Sequence, residues 1–260
     1  MNRSDFISRI AVEKGEWDMV IIGGGATGLG IAMDASARGY KTLLLEQADF
    51  AKGTSSRSTK LVHGGVRYLA QGNIGLVLDA LHERGLLLKN APHLVRNLAF
   101  VIPYYKWWQG PFYTIGLKLY DLLSGRLSFG RSKHISRKIM EAILPTVKRK
   151  QLKGGILYHD GQFDDARLLI DLAETASRQG ATLLNYAPVT GFVKGADGFL
   201  SGVTARDAET GREFTAMARV IVNATGAFTD NVRKMADTHI QPMIAPSQGI
   251  HLVFDGSFLA

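Results

Sequence analysis

The stretch that decides the fold is "DMVIIGGGATGLGIAMDASARGYKTLLLEQ", residues 18–47. Residues 19–22 are an apolar run of β-formers. Residues 26–38 have helical composition, with Gly39 placed to end them, and residues 41–45 form a second apolar run closed by Glu46. Strand, turn, helix and strand in that order make a βαβ unit. At the join, Gly23, Gly25 and Gly28 spell G-x-G-x-x-G. In such a turn the first glycine permits the tight bend, the second lets the backbone approach a pyrophosphate, and the third lets the helix lie close on the sheet. The helix N-terminus, with Thr27 in its first turn, offers amide donors and a partial positive charge to the phosphates. Glu46 stands eighteen residues after Gly28. Its carboxylate can accept hydrogen bonds from an adenosine ribose and would repel a 2′-phosphate, which favours FAD or NAD over NADP. A G-x-G-x-x-G alone also fits a plain structural turn, but here both strands, the helix and the closing Glu agree.

After Glu46 the chain departs from the further βα repeats usual in NAD enzymes. It enters "QADFAKGTSSRSTKLVHGGVRYL", residues 47–69, which is rich in hydroxyls, cations and glycine. A buried polar loop of this kind is costly unless something occupies it. The hydroxyls and amides of Thr54 and Ser55 suit phosphates, and Gly64 and Gly65 suit close approach to a flavin ring.

Residues 54–69, "TSSRSTKLVHGGVRYL", resemble the flavin loop of the FAD-dependent glycerol-3-phosphate dehydrogenases, which reads very nearly T-S-S-x-S-S-K-L-I-H-G-G-L-R-Y-L. Thr59 stands where that pattern has serine. "LHERGLLLKNAPHL" (81–94) resembles the family's helix leading to an Ala-Pro-His turn. "DDARLLIDLAETASRQGA" (164–181) resembles its Asp-Asp-Ala-Arg-Leu segment, and "VIVNATGAFTD" (220–230) is similar to its Val-Asn-Ala-Thr-Gly element. The resemblance runs from Asp18 onward and corresponds to the family's N-terminal half. Family members are roughly twice as long, as a two-domain flavoenzyme would be. A strand beginning like "PSQGIHLVF" (246–254) leads there into the rest of the substrate domain. We therefore expect a truncated chain.

What the resemblance implies is an α/β fold: a Rossmann-like FAD-binding domain of the glutathione-reductase and amino-acid-oxidase type, with part of a mixed-sheet substrate domain. The expected divisions are an N-terminal extension at 1–17, a discontinuous FAD domain at 18–95 and 154–245, a basic aromatic insertion at 96–153, and the start of a substrate domain at 246–260. The implied reaction is oxidation of sn-glycerol 3-phosphate at C2 to dihydroxyacetone phosphate, with electrons passed to a membrane quinone. An oxidase using oxygen, or a catalytically silent nucleotide-binding and membrane-associating fragment, are the alternatives.

Within that frame Arg67 is the expected phosphate ligand, since a guanidinium grips phosphate oxygens bidentately; its other reading is a carboxylate pair. His63 suits the base that takes the C2 hydroxyl proton, since an imidazole ordinarily titrates near neutrality, or a hydrogen-bond partner of that hydroxyl, or else it is structural. Tyr68 orients substrate or packs as an aromatic. Lys60, next to Leu61 in the loop, neutralises flavin charge or is a solvated lysine. Val189, in "NYAPVTGF", resembles a strand whose backbone contacts adenine, although core packing explains a valine as well. Ala224 and Gly226 suit close approach to the cofactor, while Asn223 caps or turns the chain. Histidines elsewhere show no metal-ligand spacing, so no metal is assigned.

The chain has 260 residues, 46% hydrophobic content and a formal charge of +8, with no cysteine. Disulfides and thiolate metal sites are thereby excluded. Residues 96–153 hold twelve Lys/Arg against two acids, Asp121 and Glu141, so the whole basic excess sits there. An anionic partner surface is implied. In "FVIPYYKWWQGPFYTIGLKLYDLLSG" (100–125) paired tryptophans adjoin lysines, a pattern suited to a bilayer interface. The alternative is an aromatic face packed into the protein. No recognised nucleic-acid module appears. The first residues lack a secretion signal and no apolar run approaches a membrane span, so a cytoplasmic protein held peripherally at the cytoplasmic membrane is expected. Homodimerisation is compatible with the sequence.

Overall fold

The structure is a computed structural model. It describes residues 1–13, 15–65, 68, 71–125, 128–250 and 252–259. The chain divides into two units, Met1–Ser58 with Asp165–Gln248, and Thr59–Asp164 with Gly249–Ala260.

The first unit is built on a six-stranded mixed sheet. Its strands are β1 (Trp17–Ile22), β2 (Thr42–Leu45), β7 (Thr182–Leu184), β8 (Val189–Lys194), β9 (Leu200–Arg206) and β10 (Glu213–Asn223), in the order β7-β2-β1-β10-β9-β8. The pairs β7–β2, β2–β1 and β1–β10 are parallel, whereas β10–β9 and β9–β8 are antiparallel. Apart from Asp18, Thr42 and Thr182 at or next to their starts, the three short parallel strands are apolar, because both of their faces are covered. Ile21, Leu44 and Leu183 meet one core with Leu29 and Ala32 of α2 (Ala26–Ala37) and Ala173 and Ala176 of α6 (Asp165–Arg178). The alternate residues Val20, Ile22, Leu43, Leu45 and Leu184 face a second core with Val203, Ala205, Ala216 and Ala218 of the antiparallel strands. Neighbouring side chains thus divide between the two faces, as the period of a strand requires.

Helix α1 (Arg3–Val12), within the expected extension, belongs to this unit: Phe6 is buried and Arg3 pairs with Asp207 at 2.5 Å. Gly39, at φ +86°, follows α2 as the sequence requires. Helix α7 (Thr229–Ala236) follows β10 through a short turn at Gly226–Phe228.

The second unit is an antiparallel sheet centred on β6 (Gly154–Phe163). It pairs with β4 (Val95–Tyr104) over its whole length, and with β3 (Leu61–Val62) and β5 (Lys133–Ser136) over parts of it. Helices α3 (Ile74–Asn90), α4 (Gln109–Ser124) and α5 (Arg137–Ile143) cover it. The divisions therefore differ from those expected at 95 and 154. The ten-residue β4–β6 ladder keeps residues 154–163 with 95–104, and β3 brings the polar loop from residue 59 onward into the same unit. The strand expected at 246–254 does not form among the described residues there. Ile250 is 80% exposed and Val253 96%, and neither is paired in a ladder among the described residues.

Candidate functional site

The parallel strands of the first unit end together, and the turns that leave them form a cleft of about 360 Å³. Its lining includes Gly23–Thr27, Glu46–Ala48, Lys52–Ser55, Arg57 and residues 224–228. Crevices outside the carboxyl ends of parallel strands are where open α/β sheets bind ligands.

The glycine turn is held on every side. Gly23 has φ +111°, and a Cβ there would stand 2.6 Å from the Ala224 carbonyl oxygen. A Cβ on Gly28 would stand 1.9 Å from the Gly23 carbonyl oxygen, so α2 lies against the turn at a distance only glycine allows. Gly24, absent from the sequence-based assignment, is also constrained, by side chains rather than by backbone. Its Cβ would meet Glu46 Cβ and Phe50 at 2.9 Å each. The middle glycine of "GGG" was the available signal.

Glu46 closes β2 and clasps the turn. Its Oε2 accepts from the Gly24 amide at 2.6 Å and its Oε1 from the Ala48 amide at 2.8 Å. The carboxylate expected at a ribose is thus first a backbone clasp, with lone pairs to spare on both oxygens. The loop beyond it is tied back by the Ala51 amide, which donates to the Gly24 carbonyl at 2.9 Å.

Ser55 Oγ accepts from the Ala26 amide at 3.0 Å, in the first turn of α2, whose own N-cap, Gly25, has no side chain to do so. Ser58 donates through its hydroxyl to Asp165 Oδ2 at 2.7 Å, and its amide to the same oxygen at 3.2 Å. Asp165, fully buried at the start of α6, therefore anchors the hydroxyl-rich loop. Lys52 and Arg57 bring two cations to the cleft wall. Asn223 turns the chain: its Oδ1 accepts from the Thr225 hydroxyl and its amide donates to the Thr229 carbonyl.

Of the expected site residues, Gly23, Gly25, Thr27, Glu46, Thr54, Ser55, Ala224 and Gly226 line this one cleft, with Gly28 directly beneath it. Val189 does not line it. The side chain is buried in the core and the residue pairs with Ala205. Lys60, Leu61, His63, Gly64 and Tyr68 belong to the second unit. Lys60 has φ +56°, and its carbonyl accepts from the Phe163 amide. Leu61 pairs with Gln162, His63 and Tyr68 are exposed, and Gly64 is buried. Arg67 lies outside the described residues. Among the described residues no acid or histidine cluster could hold a metal ion.

The donors fit FAD's nucleotide end. The Gly25 amide, a helix N-terminus and two cations suit a diphosphate, and a carboxylate suits a ribose.

Comparison with known proteins points the same way. The chain is 46% identical over 255 residues to mitochondrial glycerol-3-phosphate dehydrogenase of Rattus norvegicus, covering 94% of this chain and 35% of that protein. With the corresponding Schizosaccharomyces pombe protein it shares 45% identity, covering 92% and 39% respectively. The chain thus spans little more than a third of the length of these curated relatives. Among solved structures, the glycerol-3-phosphate dehydrogenase of Bacillus halodurans complexed with FAD superposes with a TM-score of 0.69 at 32% identity, covering 90% of this chain and 39% of that one. The profile of the DAO family, FAD dependent oxidoreductase, matches residues 18–259, and the chain belongs to that family.

Proposed function

We propose that this chain is the FAD-binding part of an enzyme that oxidises sn-glycerol 3-phosphate to dihydroxyacetone phosphate and hands the electrons to a membrane quinone. The observation that carries the cofactor reading is the cleft at the ends of β1, β2 and β10, where Gly23, Gly25, Glu46, Ser55, Ala224 and Gly226 converge. Relatives called glycerol-3-phosphate dehydrogenase support the substrate.

The Gly25 amide and the N-terminus of α2 hold the diphosphate, with Lys52 and Arg57 balancing its charge. Bound FAD supplies the two-electron acceptor for the C2 hydride. His63 takes the proton from the C2 hydroxyl, Arg67 grips the substrate phosphate, and Tyr68 orients the substrate.

Quinone delivery calls for contact with a bilayer. Helix α4 and the residues before it support that role. Trp107 is 80% exposed and Ile115 71%, and Trp108, Phe112, Leu119 and Leu122 join them along one side of the helix. Neighbouring exposed residues at three- and four-residue spacing form a stripe. Lys106 sits over the Trp108 ring at 6.0 Å. Among the described residues no helix is long and apolar enough to cross a membrane, so the proposed contact is peripheral.

The test is reconstitution with FAD, followed by glycerol 3-phosphate with a dye, a quinone analogue or oxygen as acceptor. A chain that binds no FAD ends the cofactor reading. Bound FAD without turnover leaves the silent fragment, and turnover with oxygen but not quinone leaves the oxidase.

A further inference from the structure

A buried ionic cluster in the second unit stands outside the chemistry assigned above. Arg84 is 1% exposed and Asp160 3%. Arg84 Nη1 donates to Asp160 Oδ1 at 2.6 Å and to the Tyr120 hydroxyl at 3.3 Å, and Nη2 donates to Ser124 Oγ at 3.3 Å. The guanidinium lies over the Phe129 ring, 4.6 Å from its centroid, and its buried Nε has no hydrogen-bond partner among the described residues. Tyr120 in turn donates to Asp160 Oδ2 at 3.2 Å and accepts the Gly64 amide at 2.9 Å. That amide also lies 3.3 Å from Asp160 Oδ1.

Such a cluster is poor value as a source of stability. Removing two charges from water costs several kcal/mol each, and well-packed apolar residues of similar volume often serve a fold as well or better. Here the contacts converge instead on one backbone amide, that of Gly64. The turn containing it has no slack. A Cβ on Gly64 would stand 2.2 Å from Leu81 and 2.4 Å from the Tyr120 hydroxyl. Gly65, at φ +73°, has the Tyr68 ring where its own Cβ would be, at 2.6 Å. Burial, and then the charge of Asp160, push the ionisation of Tyr120 far up, so the hydroxyl stays protonated at any working pH.

We propose that Arg84, Asp160 and Tyr120 are positioning residues for the turn at 63–65. The guanidinium fixes Asp160, Asp160 fixes the rotation of the Tyr120 hydroxyl, and the hydroxyl fixes the Gly64 amide and so the direction in which His63 leaves the chain. The catalytic meaning of this device rests on the proposed role of His63, because a base displaced by about 1 Å can lose about a hundredfold in rate.

The test reads the turn directly, by amide hydrogen exchange in ¹⁵N-labelled chain without FAD. In Tyr120→Phe, exchange at Gly64 is expected to speed up about tenfold, as loss of a typical buried hydrogen bond implies. Protected amides of the β4–β6 ladder keep their rates. In the double variant Arg84→Met/Asp160→Leu, the ladder is expected to stay protected while Gly64 exchanges as fast as in Tyr120→Phe. Unchanged Gly64 exchange in Tyr120→Phe would overturn the proposal. So would Gly64 and the ladder speeding up together, or loss of ladder protection in the double variant, since each means the cluster supports the unit as a whole. FAD titration of the parent chain is a separate arm: absence of binding would sink the flavin reading and leave the exchange result standing.

Discussion

Two glycines on one helix should respond to the same substitution with opposite signs. Gly28 and Gly30 both lie in α2, two residues apart. Replacing either by Ala removes the entropic penalty of a helical glycine and gains about 0.5–1 kcal/mol. At Gly30 nothing lies within 4 Å of the added Cβ, so that gain is the whole effect. At Gly28 the Cβ would stand 1.9 Å from the Gly23 carbonyl oxygen and 3.4 Å from Ile21. The near atom is backbone and cannot rotate away. The helix or the turn must retreat by about 1.5 Å to restore ordinary contact. Overpacking of this severity costs about 1–3 kcal/mol, or more.

For a chain of this size each kcal/mol moves the midpoint of thermal unfolding by about 2–4 °C. Gly30→Ala should therefore melt about 1–4 °C above the parent, and Gly28→Ala several degrees below it. The turn that must move carries Gly23 and the proposed diphosphate amides, so Gly28→Ala should also weaken FAD at least about tenfold, whereas Gly30→Ala should not. Calorimetry with a flavin-fluorescence titration on the three proteins decides the matter. A Gly28→Ala chain as stable as the parent, or one that binds FAD with parental affinity, would refute the close contact of helix and turn.

Glu46→Gln leaves a single acceptor oxygen for the two amides of Gly24 and Ala48, so urea unfolding should show a loss of about 1–3 kcal/mol; no loss would mean that the clasp is replaceable. Burial raises the Asp207 carboxyl, but the Arg3 guanidinium, the Thr210 hydroxyl and the Glu209 amide outweigh it and hold it at about 2. Because the folded value lies below the unfolded one, the stabilisation, about 2 kcal/mol, is complete above about pH 5 and drains away as pH falls toward 2. Asp207→Asn should flatten the stability profile over that range, and an unchanged slope would acquit the residue. Vesicles containing anionic lipid should bind the chain less well as salt rises, and Trp107→Ser/Ile115→Ser should reduce binding several-fold; salt-insensitive binding would retire the membrane contact.

The glycine turn was legible because its steric partners lie close in sequence: Gly28 meets Gly23 five residues earlier, within one strand-turn-helix unit. The Rossmann-type α/β fold followed from that unit and from apolar runs buried on both faces. Where the partner comes from a distant element, the sequence gives no sign of it. Gly64 was read as room for a flavin ring, and nothing local announces that its Cβ direction is filled by Leu81 and Tyr120, or that its amide serves Tyr120, fifty-six residues away. Glu46 lines the cleft, but its clasp on Gly24 and Ala48 depends on how two turns meet. The charge contrast that marked off 96–153 reported the surface, whereas the unit boundaries are set by the β4–β6 ladder, whose register no local composition encodes.

Arg84 shows the limit most sharply. In "LHERGLLL" it sits beside Glu83 and His82 and has the composition of a solvated helix face. Nothing within the helix signals that Asp160 and Tyr120 will enclose it. Sequence reading found residues that line one cleft, because ligand chemistry restricts residue type at fixed local spacing. Residues that aim those groups from behind are restricted only by the assembled fold. Charged side chains that are buried without an obvious reason are where such support is to be sought, since burial of a charge is costly enough to require a geometric return.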